Sequence, residues 1–196
     1  MSSFQMTVRG TYALLTHNPL AMMSNGKDEA KASKAIKQAY DPAEEAQRGC
    51  YYDNDGHYAI PGISFRNSIL AASSAFKMPR PNHRKSVVHF LSSMMVLEDL
   101  VTLINDDGTP VTSYTVDSRR ALVQGQGIIR SRPKFNEWGA KFTVEFDEDL
   151  GVTDELITMI AVDAGKRIGV GDYRPQKLKG LPGPYGRYAV VSPNFE

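Results

Sequence analysis

Residues 164–191, AGKRIGVGDYRPQKLKGLPGPYGRYAVV, carry glycine at 165, 169, 171, 180, 183 and 186. Glycine at this density favours turns over helix and weakens any strand it enters. The segment therefore reads as a short strand at 168–170, a long loop, and a last strand over 186–191. The fold has to be built by what precedes it. Between the glycines stand Lys166, Arg167, Arg174, Lys177, Lys179 and Arg187, with Tyr173, Tyr185 and Tyr188 among them. Such a loop either makes surface turns or lets the backbone pass close to an anionic, ring-bearing partner.

The chain of 196 residues is long enough for one domain with a real core. Its 41% hydrophobic and 23% charged residues are ordinary for a globular protein. No apolar run approaches the length of about 20 residues that a membrane span needs. Nothing in MSSFQMTVRG reads as a secretory signal. Cys50 is the only cysteine, so there is no internal disulfide and no cysteine-based metal cluster, and a cytoplasmic setting is expected.

The formal net charge of +1 conceals a sorted distribution. Residues 77–90 hold Lys77, Arg80, Arg84 and Lys85 with no acid. Residues 119–141 set six bases, among them Arg130 and Arg132, against Glu137 alone. Residues 91–117 and 142–163 are acidic. If the basic blocks meet, the protein has a positive face. The alternative is that basic and acidic blocks pair with one another.

Element signals run the length of the chain. Residues 4–15 alternate and read as a first strand. Residues 28–48 are rich in Ala, Lys, Glu and Gln and suggest two short helices, and Asn54-Asp55-Gly56 marks a hairpin. Together these make 20–58 a helical and hairpin insertion. Ser64 is a candidate N-cap for a helix that buries Phe65, Ile69, Ala72 and Phe76. Strands are expected within 87–104, around Gly125 and Gly127, and over 139–147. Thr153 caps a second helix, with Gly165 as its stop. The expected class is α+β, a single domain over 1–196. Its core would be a modified ferredoxin-like β-α-β-β-α-β unit with the insertion after its first strand.

No nucleotide-binding glycine fingerprint is present, because Gly169-Val-Gly171 has no third glycine opening a helix. The four histidines lack metal-ligand spacing, and no nucleophile elbow occurs. Bases interleaved with aromatics, as in IIRSRPKFNEW at 128–138, suit single-stranded nucleic acid. Trp138 and Tyr188 read as core residues.

Two segments resemble a known family. IPGISFRNSIL, at 60–70, resembles the Pro-Gly-Ser-x-Arg/Lys-Gly segment that opens the first helix of RAMP-superfamily proteins, the RNA-binding subunits of CRISPR effector complexes. The run over 164–191 resembles that superfamily's C-terminal glycine-rich loop, and small phage-encoded proteins carry a similar C-terminal pattern. The chain departs from the first pattern at Asn67. The resemblance implies a ferredoxin-like RNA- or DNA-binding protein that self-associates along a strand, without catalysis or cofactor. Phosphates would be held by Arg66, Arg80, Arg84, Lys85, Arg130, Arg132, Lys166, Arg167, Arg174 and Lys177, with Tyr173 or Tyr185 stacking on bases. The alternatives are a phage assembly protein that uses the charge blocks for subunit contacts, and an RNA-processing endoribonuclease that needs His17 or His83.

Overall fold

In a computed structural model, residues 1–19, 40–79, 85–123, 126–176 and 182–191 are described. The described elements are mixed α and β, and every strand pair is antiparallel. The first strand, β1 (Ser2–Gly10), buries Met6 and Val8 on one face. The expected strand over 4–15 is in fact two. The chain turns after Gly10, and β2 (Leu14–Leu15) joins a different sheet.

Helix α1 (Pro42–Arg48) starts at Asp41, whose carboxylate accepts from the Ala43 and Glu44 amides, with proline in the first turn. A hairpin of β3 (Tyr51–Tyr52) and β4 (Tyr58–Pro61) follows, turning at Gly56 with φ +82°. Of the two short helices expected within 28–48, α1 is one, and the hairpin is the one expected at Asn54-Asp55-Gly56; residues 20–39 lie outside the described set.

Helix α2 (Gly62–Ser73) buries Phe65, Ile69 and Ala72, as the helical spacing requires. Its start differs from expectation. Pro61 occupies the N-cap position, no side chain caps the helix, and Ser64 lies inside the first turn. Residues 87–104 form a short 3-10 turn (Val87–His89), β5 (Met95–Val96) and β6 (Leu100–Ile104). Strands β7 (Thr115–Val123) and β8 (Gln126–Phe135) pair along their whole length, and β9 (Gly139–Phe146) returns beside β1.

Helix α3 (Asp154–Arg167) is capped by Thr153, whose hydroxyl accepts from the Leu156 amide. Gly165 does not stop it. The helix runs to Arg167, and Gly165 faces the Tyr188 carbonyl so closely that a Cβ there would collide with it. Residues 168–170 are not a strand, and the last strand is β10 (Tyr188–Val191).

The main sheet has the order β10-β1-β9-β6-β4-β3, with β5 also on β9. The smaller sheet is β2-β8-β7. Since β1 and β6 both run antiparallel to β9, they are parallel to each other and joined through α2. Likewise β9 and β10 flank β1 and are joined through α3. The two helices pack together over the sheet: Phe65 of α2 stacks on Phe142 of β9 at 4.4 Å and meets the Tyr188 ring edge-on. Trp138 is buried, and its indole N–H donates to the Tyr12 carbonyl at 2.9 Å. Among the described residues, no helix is long and apolar enough to cross a membrane.

Candidate functional site

The end of β2, the start of α2, strand β8 and the loop after α3 meet around a cleft of about 410 Å³. Each contributes for a local reason. The loop after α3 turns through Gly169 and Gly171, at φ +70° and +74°. A Cβ on Gly171 would stand 2.5 Å from the Leu15 carbonyl oxygen, so only glycine lets the loop lie against β2. The Asp172 amide then donates to that same carbonyl at 2.8 Å. Tyr173, the next residue, is itself left-handed at φ +51°, a conformation held by its surroundings.

Arg132 reaches the cleft from β8 and is only 6% exposed. Its Nε donates to Asp172 Oδ2 at 2.7 Å, and its guanidinium lies 4.9 Å from the Tyr173 ring centre. Its Nη1 is buried with no hydrogen-bond partner. A buried, unpartnered guanidinium N–H is costly, and such groups call for a reason. Arg174 stands in the same wall, with Nη1 on the Gly171 carbonyl at 3.1 Å and Nε on the Gln176 carbonyl at 3.1 Å.

Opposite them is the amino end of α2. Pro61 and Ser64 line the cleft, and the Gly62 amide is taken by the Asp99 carbonyl at 2.8 Å. The rest of the first turn has no side-chain cap, so its partial positive charge is left to face the cleft. His17 also lines it. Its carbonyl accepts from the Tyr51 hydroxyl at 3.1 Å, and its Nδ1 is buried without a partner. Burial, then the Arg132 charge, holds the imidazole below its ordinary value of 6.5. With His17 neutral, the charged lining is Arg132 and Arg174 against Asp172, net positive, and the helix end adds to it. This arrangement suits a small anion.

Of the residues singled out by sequence, the cleft gathers Arg132 and Arg174. It also joins the two family-like segments, since Ile60, Pro61 and Ser64 face Gly171, Asp172 and Arg174. His17, named for the cleavage alternative, lines it too, and the other described ones stand elsewhere. Arg66 is spent on backbone, its Nε on the Met94 carbonyl at 2.7 Å and its Nη2 on the Ser92 carbonyl at 2.9 Å. Lys85 is exposed, its Nζ 5.8 Å from the centre of the Phe90 ring. Arg130 donates to Glu45 at 2.8 Å, which fastens α1 to β8. Against the cost of burial, that bond and the Ser131 amide hold the Glu45 carboxyl below its usual range. Lys166 is exposed on the last turn of α3, and Arg167 is held by Asp163 four residues back. Tyr173 and Tyr185 are 9% and 6% exposed and pack on Leu15. Arg132 covers the one ring and Arg119 the other, so neither face is open to a base. Arg80, Arg84 and Lys177 lie outside the described residues.

Sequence reasoning missed Asp172, Tyr51 and Ser64 as cleft residues. A lone Asp after glycine carries no signal, and Ser64 has the residue type of a cap without the position. In the β3–β4 turn, ligand atoms of Asp53, Asp55 and His57 lie within 4.8 Å of one another. The Asp53 carboxylate is already engaged there, accepting from the Asp55 and His57 amides and from the Thr102 hydroxyl at 2.6 Å, which makes it a brace for the turn.

No protein-family model matches the chain, and no curated protein sequence matches it.

Proposed function

We propose that this protein binds single-stranded nucleic acid without cleaving it, with a backbone phosphate seated in the cleft. The observation that carries the proposal is Arg132, nine-tenths buried with an unpartnered Nη1, set in one cleft with the uncapped amino end of α2 and Arg174. Helix amino ends and arginine forks are the two protein groups best suited to phosphate. The core is taken to be ferredoxin-like. The order β10-β1-β9-β6, with crossovers through α2 and α3, supports that assignment. The RAMP-like segments support it too, because Ile60, Pro61 and Ser64 of the first and Gly171, Asp172 and Arg174 of the second line one cleft. Self-association along the strand belongs to the same proposal.

The test is fluorescence anisotropy with labelled single-stranded RNA and DNA at low and moderate salt, with light scattering on the same mixtures. Binding that weakens with salt, together with growth in mass, is the expected result. No binding at low salt would remove the proposal. A second reading, RNA cleavage with His17 carrying the proton, is favoured by one observation, the imidazole in the same cleft. It requires RNA to be cut on incubation and the cutting to stop in His17→Asn; the main proposal expects intact RNA.

A further inference from the structure

We propose that the cleft is a one-nucleotide site: it takes one nucleoside phosphate unit, phosphate inward between the amino end of α2, Arg132 and Arg174. Each molecule would then hold one phosphate of a strand and not a run of them. This rests on the nucleic-acid proposal above and narrows its ligand.

Size is the first argument. A cleft of about 410 Å³ falls at the lower end of small-molecule sites, which run from about 300 to 1,000 Å³. That is more than a bare phosphate fills and much less than a strand needs. The lining divides accordingly. One part is cationic, from Arg132 and Arg174, while Tyr51 and Ile60 give an apolar wall on which a sugar or base can rest. The Tyr51 ring is fixed in place by its hydroxyl bond to the His17 carbonyl.

Charge is the second argument. A protein that tracks a strand needs several free cations in a row and aromatic faces between them. Among the described residues Arg9, Arg119, Arg130 and Arg167 are tied to Asp106, Asp117, Glu45 and Asp163, and Arg66 is tied to carbonyls, while the exposed Lys85 and Lys166 lie outside the cleft lining. The rings of Tyr173 and Tyr185 are covered by guanidinium groups. In the cleft Arg132 meets its carboxylate through Nε and keeps Nη1 unpartnered.

The test is competition for a labelled, single-stranded oligonucleotide bound to the full chain. A nucleoside monophosphate should displace it, and the unphosphorylated nucleoside should not. For a single phosphate on a single strand, log K should fall with log salt at a slope of about −0.7, the same for short and long strands. Arg132→Gln should weaken both the mononucleotide and the strand by about tenfold or more. Because that change removes the buried Arg132–Asp172 ion pair, Arg174→Gln is the companion variant, expected to weaken both ligands with the thermal melt preserved. A slope that steepens with strand length, with no displacement by mononucleotide, overturns the one-nucleotide site and leaves nucleic-acid binding standing. Binding of a labelled mononucleotide in a direct titration, with no strand binding, overturns nucleic-acid binding and with it the claim that each molecule holds one phosphate of a strand. Failure of both ligands to bind removes both proposals.

Discussion

Arg132 and Asp172 form an ion pair whose side chains are 7% and 15% exposed. Breaking a buried pair by removing one partner typically costs about 3–5 kcal/mol, because the survivor keeps its desolvation cost. Arg132→Ala is therefore expected to lose stability of about that size by urea denaturation, and adding Asp172→Asn should recover part of it. His17 makes a pH prediction with a definite sign. Its folded value lies below the ordinary 6.5, chiefly through burial and then through Arg132 and Arg130, with Asp172 and Glu45 pulling the other way. The unfolded chain thus takes up the proton first. The contribution of neutral His17 is intact above about pH 6.5 and declines as pH falls below it. Urea midpoints of the wild type should drop on acidification more than those of His17→Asn; equal drops would contradict this. Cys50 is 2% exposed, and burial pushes its thiol up to about 11. Alkylation of the native protein at neutral pH should accordingly be slow and should become fast only in denaturant.

Helix α3 shows how far local signals reach. Thr153 as its cap was legible because a threonine hydroxyl before two acidic residues needs no tertiary partner to act. Its end was not legible. Gly165 has the residue type of a stop, yet it serves the close crossing of α3 and β10 at Tyr188, a contact between segments that no local pattern encodes. Gly165→Ala is expected to cost more than the roughly 1 kcal/mol gained in helix propensity, and to lower the melting temperature. Gly186→Ala should cost at least as much. That position has φ +66°, and an added Cβ would collide with the Val170 carbonyl oxygen. At the start of α2 the Asp99 carbonyl takes the Gly62 amide alone, and Ser64 lies inside the first turn, where it does not cap the helix. The split of the first strand has the same kind of cause. Leu14 and Leu15 continue the alternation of β1 but are recruited by Phe135 and Lys134 of β8. The glycine-rich segment is chiefly a structural device, since left-handed turns at Gly169, Gly171 and Gly186 and close approaches of Gly165 to Tyr188 and of Gly183 to Tyr173 explain five of its six glycines.

Across the molecule, several ion pairs of the described residues join distant segments of the chain. Arg130 pairs with Glu45 and Arg9 with Asp106, each joining segments far apart in sequence. Arg130 shows that an arginine of a basic block can be spent on a pair within the chain, and exposed pairs of this kind add little to stability. Moderate salt should shift the melting temperature of the free protein only slightly while weakening strand binding. The α+β class and the order of its principal helices and strands were legible because the alternating and helical periods are strong in β9, α2 and α3. The cleft was legible only in its parts. Arg132, Arg174 and the two glycine-bearing segments stood out, but their meeting depends on four separate elements, and the burial of Tyr173 and Tyr185 depends on their packing with Leu15. The most direct test of the central claim, a phosphate held in this cleft, is a heteronuclear NMR titration with a single-stranded oligonucleotide. It would follow the arginine Nε–H signals and the backbone amides. The Arg132 and Arg174 side chains and the Ser64 and Gly171 amides should shift first and saturate together. Shifts confined to other surfaces, with these four unmoved, would contradict the claim.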